Sequence, residues 1–261
     1  MRRRVRYLSS LLHIEFGVSW RFPILEGLAA ILFFGILSNT LQSGFTSSFD
    51  VYLGNTQQVI TFFDELAPTM LQSGMWFFFT SLALIVPVLV AIAVARPFED
   101  GFYRTHLTLP VKRSNLLLTK AGLVILIPAS LLSFALMTIV TLTFPLLPAA
   151  TDLFLVIVAT WLYIAFLVSI STLIAILTRK LTTAIIGGVG LWSVVQSLQG
   201  LEGIPSLARI ILNPLNAVTE FITQGQGAPV IEGLQIGMFV SFMITIVLFI
   251  LSLIIFEQIE V

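Results

Sequence analysis

The residues of this chain that could do chemistry are few, and most of them lie in one stretch, residues 96–120. That stretch carries five of the thirteen basic residues, two adjacent acids, Glu99 and Asp100, and one of the two histidines. It lies between two strongly apolar segments. A charged interval in this position is either a solvated connection or the place where the protein meets an aqueous partner, and spacing alone leaves both open.

Catalytic and cofactor-binding motifs are absent from the sequence. There are no cysteines, which excludes disulfides, thiolate metal sites and cysteine nucleophiles. The two histidines, His13 and His106, lie far apart, so we expect no metal site. No phosphate-binding loop, zinc-protease motif, EF-hand loop or serine nucleophile elbow is present. We therefore expect no catalytic residue, no cofactor in this chain and no nucleic-acid partner.

The composition indicates what kind of protein must position the charged stretch. Hydrophobic residues make up 57% of the chain and charged residues 10%, with a mean hydropathy of +1.05. Apolar runs of about 18 residues or more recur along its whole length, which is typical of transmembrane helices. A β-barrel is disfavoured because its strands alternate apolar and polar residues. We predict an all-α, polytopic membrane protein with one transmembrane domain, residues 1–261.

Six spans are predicted from these apolar runs. They cover residues 22–41, 70–95, 116–144, 153–177, 181–198 and 233–256. Residues 1–21 are basic and amphipathic, which favours an interfacial elbow helix over a disordered tail. Residues 199–232 are too apolar for a plain loop and are broken by Pro205 and Pro214. We interpret them as outer re-entrant helices, with an ordinary surface loop as the alternative.

The distribution of charge predicts the orientation. Twelve of the thirteen basic residues fall in the N-terminal segment, the second-to-third connection or the fourth-to-fifth connection, and only Arg209 lies elsewhere. By the positive-inside rule, both termini are expected to be cytoplasmic, in a multi-pass protein of the cell membrane. The basic start precedes an apolar segment too long for a signal peptide, so we expect no cleavage there.

The span interiors contain few polar groups. Ion-coupled transporters usually place an ionisable residue near mid-membrane, and none is evident here. Gln196 and Gln199 could contact a substrate or form hydrogen bonds between helices, and the second role is favoured. Glycines in the fifth span permit close approach of another helix and are candidates for dimer packing: Gly187, Gly188 and Gly190.

Within the charged stretch, residues 96–118 suggest a coupling segment. Glu99 and Asp100 would stand at the start of a short helix, where acids suit the positive end of the helix dipole. Residues 101–109 would form about two turns that place Phe102, His106 and Leu109 on one face. Pro110 would end this helix. Such a helix could dock into a partner, and a solvated loop is the alternative.

This stretch resembles the coupling segment of ABC-2 type transporter permeases. The similarity lies in the acid–glycine sequence Glu99-Asp100-Gly101, in the step Pro110-Val111-Lys112-Arg113 before the next span, and in the six-span layout. The resemblance implies a pair of permease subunits, identical or similar, with ATPase subunits that bind ATP and Mg²⁺. It also implies which residues contact the ATPase subunit: Glu99, Asp100, Gly101, Phe102, Tyr103, His106 and Leu109. Many relatives have small or aliphatic residues in place of Phe102, Tyr103 and His106.

The first functional hypothesis is therefore the permease subunit of an ATP-driven exporter of an amphiphilic or hydrophobic substrate. The chain itself has no energy source, so ATP would be hydrolysed by a partner. A stand-alone secondary transporter or channel is one alternative. A non-transporting membrane anchor or assembly factor is another. The apolar span faces fit membrane lipid as well as an amphiphilic cargo.

Overall fold

The computed structural model describes residues 80–103, 112–143, 150–199 and 228–259, with scattered helical residues between 27 and 38. These residues form helices and connections, and none of those described is in a strand, which confirms the all-α prediction. Within the described residues, five long helices follow one another: α1 (Thr80–Glu99), α2 (Arg113–Thr143), α3 (Ala150–Thr178), α4 (Leu181–Gln199) and α5 (Ala228–Gln258).

Four of these helices, α1, α2, α3 and α5, are long and apolar enough to cross a membrane. At a rise of about 1.5 Å per residue, about 20 helical residues match the thickness of a bilayer core. The apolar part of α4, Leu181–Val195, is shorter. The predicted first span, elbow helix and outer re-entrant segment fall mostly or wholly outside the described residues. The count of six spans therefore stays a prediction.

Helix α1 contains a π-helical stretch, Ala91–Ala95, followed by a last α-helical turn, Arg96–Glu99. The Arg96 N–H donates to the carbonyl of Ala91, five residues earlier. Pro97 follows at once, and a proline inside a regular α-helix clashes with the carbonyl four residues before it. A wider turn before Pro97 reduces that clash. The helix continues to Glu99, four residues beyond the predicted end of this span near residue 95.

Helix α3 lies at the centre of the bundle and packs against all four other helices. Its interior side chains include Tyr163, Ile164 and Val168, each fully buried. Two contacts tie it to its neighbours: the Trp161 Nε1–H donates to Ser133 Oγ on α2 at 2.9 Å, and the Tyr163 and Trp192 rings meet edge to face. A helix that is apolar all round, as α3 is, can lie in a protein core or face the membrane. Its contacts with α1, α2, α4 and α5 place α3 inside the bundle.

Helix α4 packs closely on two of its neighbours through glycines. A Cβ placed on Gly188 would lie 2.7 Å from Cβ of Pro87 on α1. A Cβ on Gly187 would lie 2.9 Å from Cγ2 of Ile174 on α3. Gly190, by contrast, has nothing within 4 Å of the position of a Cβ. The first two glycines thus form contacts within the chain, and the third lies on an open face.

Helix α5 packs mainly on α3 and presents a broad apolar surface outward. The exposed side chains on it include Phe239, Phe242, Val247 and Ile250. A continuous apolar surface of this kind is unfavourable in water and favourable in hydrocarbon. The structure therefore supports a membrane-embedded bundle.

Candidate functional site

The described residues at the two ends of the charged stretch, 96–103 and 112–113, lie where one end of each of the five described helices meets. We call this region the junction. It comprises the connecting segment (residues 96–103), the start of α2 at Arg113, the turn between α3 and α4, and the end of α5. The connecting segment leaves α1 through Asp100 and Gly101. Gly101 has φ +68°, a left-handed conformation that glycine adopts without the cost of a Cβ. This turn reverses the chain immediately after α1.

Three aromatic rings form the centre of the junction. Tyr103 and Phe256 are almost fully buried, at 0% and 1% exposure, and their ring centroids lie 5.4 Å apart. Phe98 packs on both, at 4.5 Å from Tyr103 and 5.8 Å from Phe256. The Tyr103 hydroxyl donates to the carbonyl of Val94 at 3.4 Å. The connecting segment is thereby fixed to the end of α5.

Arg113 connects the start of α2 to the end of α5. Its Nη1 donates to the backbone carbonyl of Ile259, and also to that of Glu257 at 3.4 Å. The last carbonyls of a helix lack partners within the helix and carry partial negative charge. A guanidinium donates hydrogen bonds to these carbonyls, and its positive charge is favourable beside their partial negative charge. Arg113 therefore acts as the C-terminal cap of α5.

Glu99 connects the end of α1 to the start of α4. Its Oε2 accepts a hydrogen bond from the backbone N–H of Leu181 at 3.0 Å, across 82 residues of sequence. Leu181 is the first residue of α4, and its N–H has no partner within that helix. The sequence suggested that Glu99 serves the N-terminus of its own short helix. The structure corrects this, because the carboxylate serves the N-terminus of α4.

Lys120 is the buried cation of this region. It lies two turns into α2, is only 4% exposed, and its Nζ lies 6.0 Å from the centroid of the Phe102 ring. An ammonium at that distance from an aromatic face is within the outer range of a cation–π contact. The sequence analysis placed Lys120 at the end of the charged stretch and also within the third predicted span, residues 116–144. The structure places it inside the bundle, where it holds Phe102 against α2.

The junction brings together five of the seven predicted contact residues, and these five differ in solvent exposure. Asp100 is exposed and pairs with Arg96 at 3.3 Å on the surface. Glu99 is exposed but engaged with α4, Phe102 is half-buried, and Tyr103 is fully buried. His106 and Leu109 lie outside the described residues. The burial of Tyr103 gives it a structural role within the chain.

The other predicted site residues lie away from the junction. Gln196 and Gln199 are in the last turns of α4, and their side chains lie outside the described set. The three glycines of the fifth span divide as described above, with Gly187 and Gly188 facing helices of the same chain and Gly190 facing outward. Among the residues the structure describes, no group of three or more acidic or histidine side chains could hold a metal ion.

Sequence reasoning did not identify the contacts of Phe98, Arg113 and Phe256. Arg113 was singled out only as the last residue of the Pro110–Arg113 step, and Phe256 only as the end of the sixth predicted span. A signal for Arg113 existed, because an arginine beside a span can reach the unpaired carbonyls of a neighbouring helix. No local pattern pairs Phe98 with Phe256, since the two are joined only by the fold.

A comparison with protein-family models identifies the family of this chain. A family model described as ABC-2 family transporter protein matches residues 1–261. The chain belongs to this family. As an ABC-2 permease it is a membrane-embedded component of an ABC transporter and is not itself catalytic. Membership implies pairing with an ATP-binding cassette ATPase subunit. The search of curated proteins found no match.

Proposed function

We propose that this ABC-2 permease is the membrane subunit of an ATP-driven exporter, and that its ATPase subunit docks at the junction. The observation that supports this is the connectivity of residues 96–103. The segment continues from α1, caps α4 through Glu99 and packs on α5 through Phe98 and Tyr103. A force applied to this short segment therefore reaches three membrane helices directly.

The surface proposed for docking consists of the exposed part of the connecting segment together with Lys112, the residue before α2. Arg96, Asp100 and Lys112 are exposed, and Phe102 is half-buried. Tyr103 is buried beneath this surface, and the Glu99 carboxylate accepts a hydrogen bond from the start of α4. His106 and Leu109 stay predicted contacts. Charged groups around a partly apolar residue are typical of the rim and centre of a protein interface.

The orientation and chemistry of transport complete the proposal. The junction would lie on the cytoplasmic side with both termini, since it carries basic residues from two of the connections. ATP and Mg²⁺ would bind the partner subunit. The substrate would be amphiphilic or hydrophobic, which fits the apolar helix faces of the bundle. Membrane lipid would cover the outer face of α5.

Co-expression with candidate ABC ATPase subunits tests this proposal. The tagged permease is expected to retain one ATPase subunit through purification. The reconstituted complex is then expected to move a fluorescent phospholipid only with ATP and an intact P-loop lysine in the partner. Asp100→Lys should weaken retention at least about tenfold, because a charge at the interface is reversed. The Arg96–Asp100 pair is exposed and adds little to folding, so this change probes docking.

The control for this experiment is Val247→Ala on the outer face of α5, which should leave retention unchanged. A wild-type permease that retains no ATPase subunit would contradict the proposal. Transport driven by an ion gradient in the purified permease alone would support a secondary transporter instead.

We further infer that two permeases pair through the open face of α4. Ile186, Gly190 and Val194 lie on this face and are exposed, while Gly187 and Gly188 are turned toward the same chain. A small residue at the centre of an apolar face lets another helix approach closely.

Cysteine crosslinking tests the pairing, since the chain has no cysteine of its own. Gly190→Cys is expected to form a disulfide-linked dimer in membranes under mild oxidation. Phe239→Cys, on the outer face of α5, serves as the control and should stay monomeric. Equal crosslinking at both positions would indicate random collisions, and none at position 190 would mean that lipid covers this face.

A further inference from the structure

Helix α4 begins without a suitable cap in its own sequence. The residue before it is Lys180, whose carbonyl accepts the first intrahelical bond, from Ala184 at 2.9 Å. Serine, threonine, aspartate or asparagine is preferred at this position because the side chain can accept a hydrogen bond from the first turn. Lysine has only donors, and its charge is unfavourable beside the positive end of the helix dipole.

The turn that leads into α4 contains a second basic residue, Arg179, whose backbone is in the left-handed conformation. Arg179 has φ +54°, in the left-handed region, and its N–H donates to the carbonyl of Ala175 at 2.9 Å. The side chains of Arg179 and Lys180 are both exposed. The beginning of α4 thus combines two basic side chains, the positive end of a helix and N–H groups without local acceptors.

Glu99 supplies from α1 the acceptor that the α3–α4 turn lacks. The carboxylate at the end of α1 accepts from Leu181 N–H at 3.0 Å. The backbone of Glu99 is in turn fixed on both sides. Phe98 packs into the aromatic centre, and the Asp100 N–H donates to the backbone carbonyl of Arg96 at 2.9 Å.

A small displacement is enough to break this contact. A hydrogen bond is lost once donor and acceptor separate beyond about 3.5 Å, so a displacement of about 1 Å in the connecting segment breaks it. Breaking it leaves an uncapped helix next to two basic residues. An element with two discrete arrangements is the kind of element through which one site biases another.

We propose that Glu99 is a positioning residue whose carboxylate transmits movement of the connecting segment to α4. The proposal rests on the proposed function for the source of that movement, the docked ATPase subunit. It assigns Glu99 a role different from the predicted partner contact: the side chain acts within the chain, on the helix that faces the second permease.

Comparing a single with a double variant distinguishes capping of α4 by Glu99 from transmission of movement from α1 to α4. Glu99→Ala removes the acceptor. Lys180→Ser installs a local acceptor at the start of α4, so the double variant Glu99→Ala/Lys180→Ser has a capped helix that is no longer connected to α1. Glu257→Gln is the matched control, because it alters another exposed carboxyl at the junction whose side chain has no proposed role.

Hydrogen exchange of the purified permease in nanodiscs gives the first readout and needs no partner. In Glu99→Ala, amides of the first turn of α4 are expected to exchange about fivefold faster, the effect of losing one cap. The double variant is expected to regain protection, and Glu257→Gln to match the wild type. Unchanged exchange in Glu99→Ala would overturn the proposal, because the cap would then contribute nothing.

Phospholipid moved per ATP hydrolysed by the reconstituted complex gives the second readout. Both Glu99→Ala and the double variant are expected to move at least about tenfold less per ATP than the wild type. Full recovery in the double variant would overturn the proposal, since Glu99 would then be only a cap. Failure of the wild-type complex to form would instead contradict the proposed function, while the exchange result would still report on the cap.

Discussion

Replacing Tyr103 with alanine is expected to lower the free energy of unfolding by about 3–5 kcal/mol, the range for truncating a buried aromatic residue. The side chain is fully buried, and its ring lies within 5.4 Å of both Phe98 and Phe256, measured between centroids. Its removal leaves a cavity where the connecting segment meets α5. Unfolding by SDS in mixed micelles, followed by tryptophan fluorescence, measures this loss.

Tyr103→Phe is the control for that change. It keeps the ring and removes only the hydroxyl, so we expect a loss of about 0.5–1.5 kcal/mol. Phe256→Ala should resemble Tyr103→Ala, and the double variant should cost less than the sum, because the two rings pack on each other. Equal stability of Tyr103→Ala and Tyr103→Phe would mean that the ring contributes nothing at the junction.

Replacing Gly188 with valine is expected to lower the free energy of unfolding by about 1–3 kcal/mol or more, through overpacking. Even the Cβ would lie 2.7 Å from Cβ and 3.3 Å from Cγ of Pro87. A proline ring is rigid and belongs to the backbone, so it cannot rotate away. Helices α1 and α4 must therefore separate, and the same detergent titration measures the cost.

Gly190→Val is the matched control for Gly188. It lies two residues along the same helix, and no atom is within 4 Å of the position of its Cβ. We expect a change of less than about 0.5 kcal/mol in the monomer, as for surface substitutions. Valine has a higher helix propensity than glycine, so propensity cannot cause the loss at position 188. A similar loss at both positions would show that it does not come from the contact with Pro87.

The helices were predictable because a membrane span is determined by a contiguous run of residues. A run of apolar residues long enough to cross a bilayer has few alternatives to a helix, and α2 and α3 begin and end within a few residues of the prediction. The start of α5 at Ala228, ahead of the predicted residue 233, reflects Pro229 in its first turn. There a missing N–H costs nothing.

The junction was only partly predictable, because its contacts join residues far apart in sequence. The acids at 99 and 100 were identified as helix-terminal residues, but the helix that Glu99 caps begins 82 residues later. One sequence signal pointed there: α4 starts directly after Arg179 and Lys180, without a residue able to cap it. A helix that begins in this way needs an acceptor from elsewhere in the fold.

The π-helical stretch Ala91–Ala95 determines the direction in which Glu99 points. Each residue of an α-helix turns the chain by about 100°, so one residue accommodated in a wide turn changes the azimuth of all that follows. Without it, the last turn of α1 would present a different side to α4, and the carboxylate would face away from Leu181. The wide turn is thus an angular adjustment that brings Glu99 to face α4.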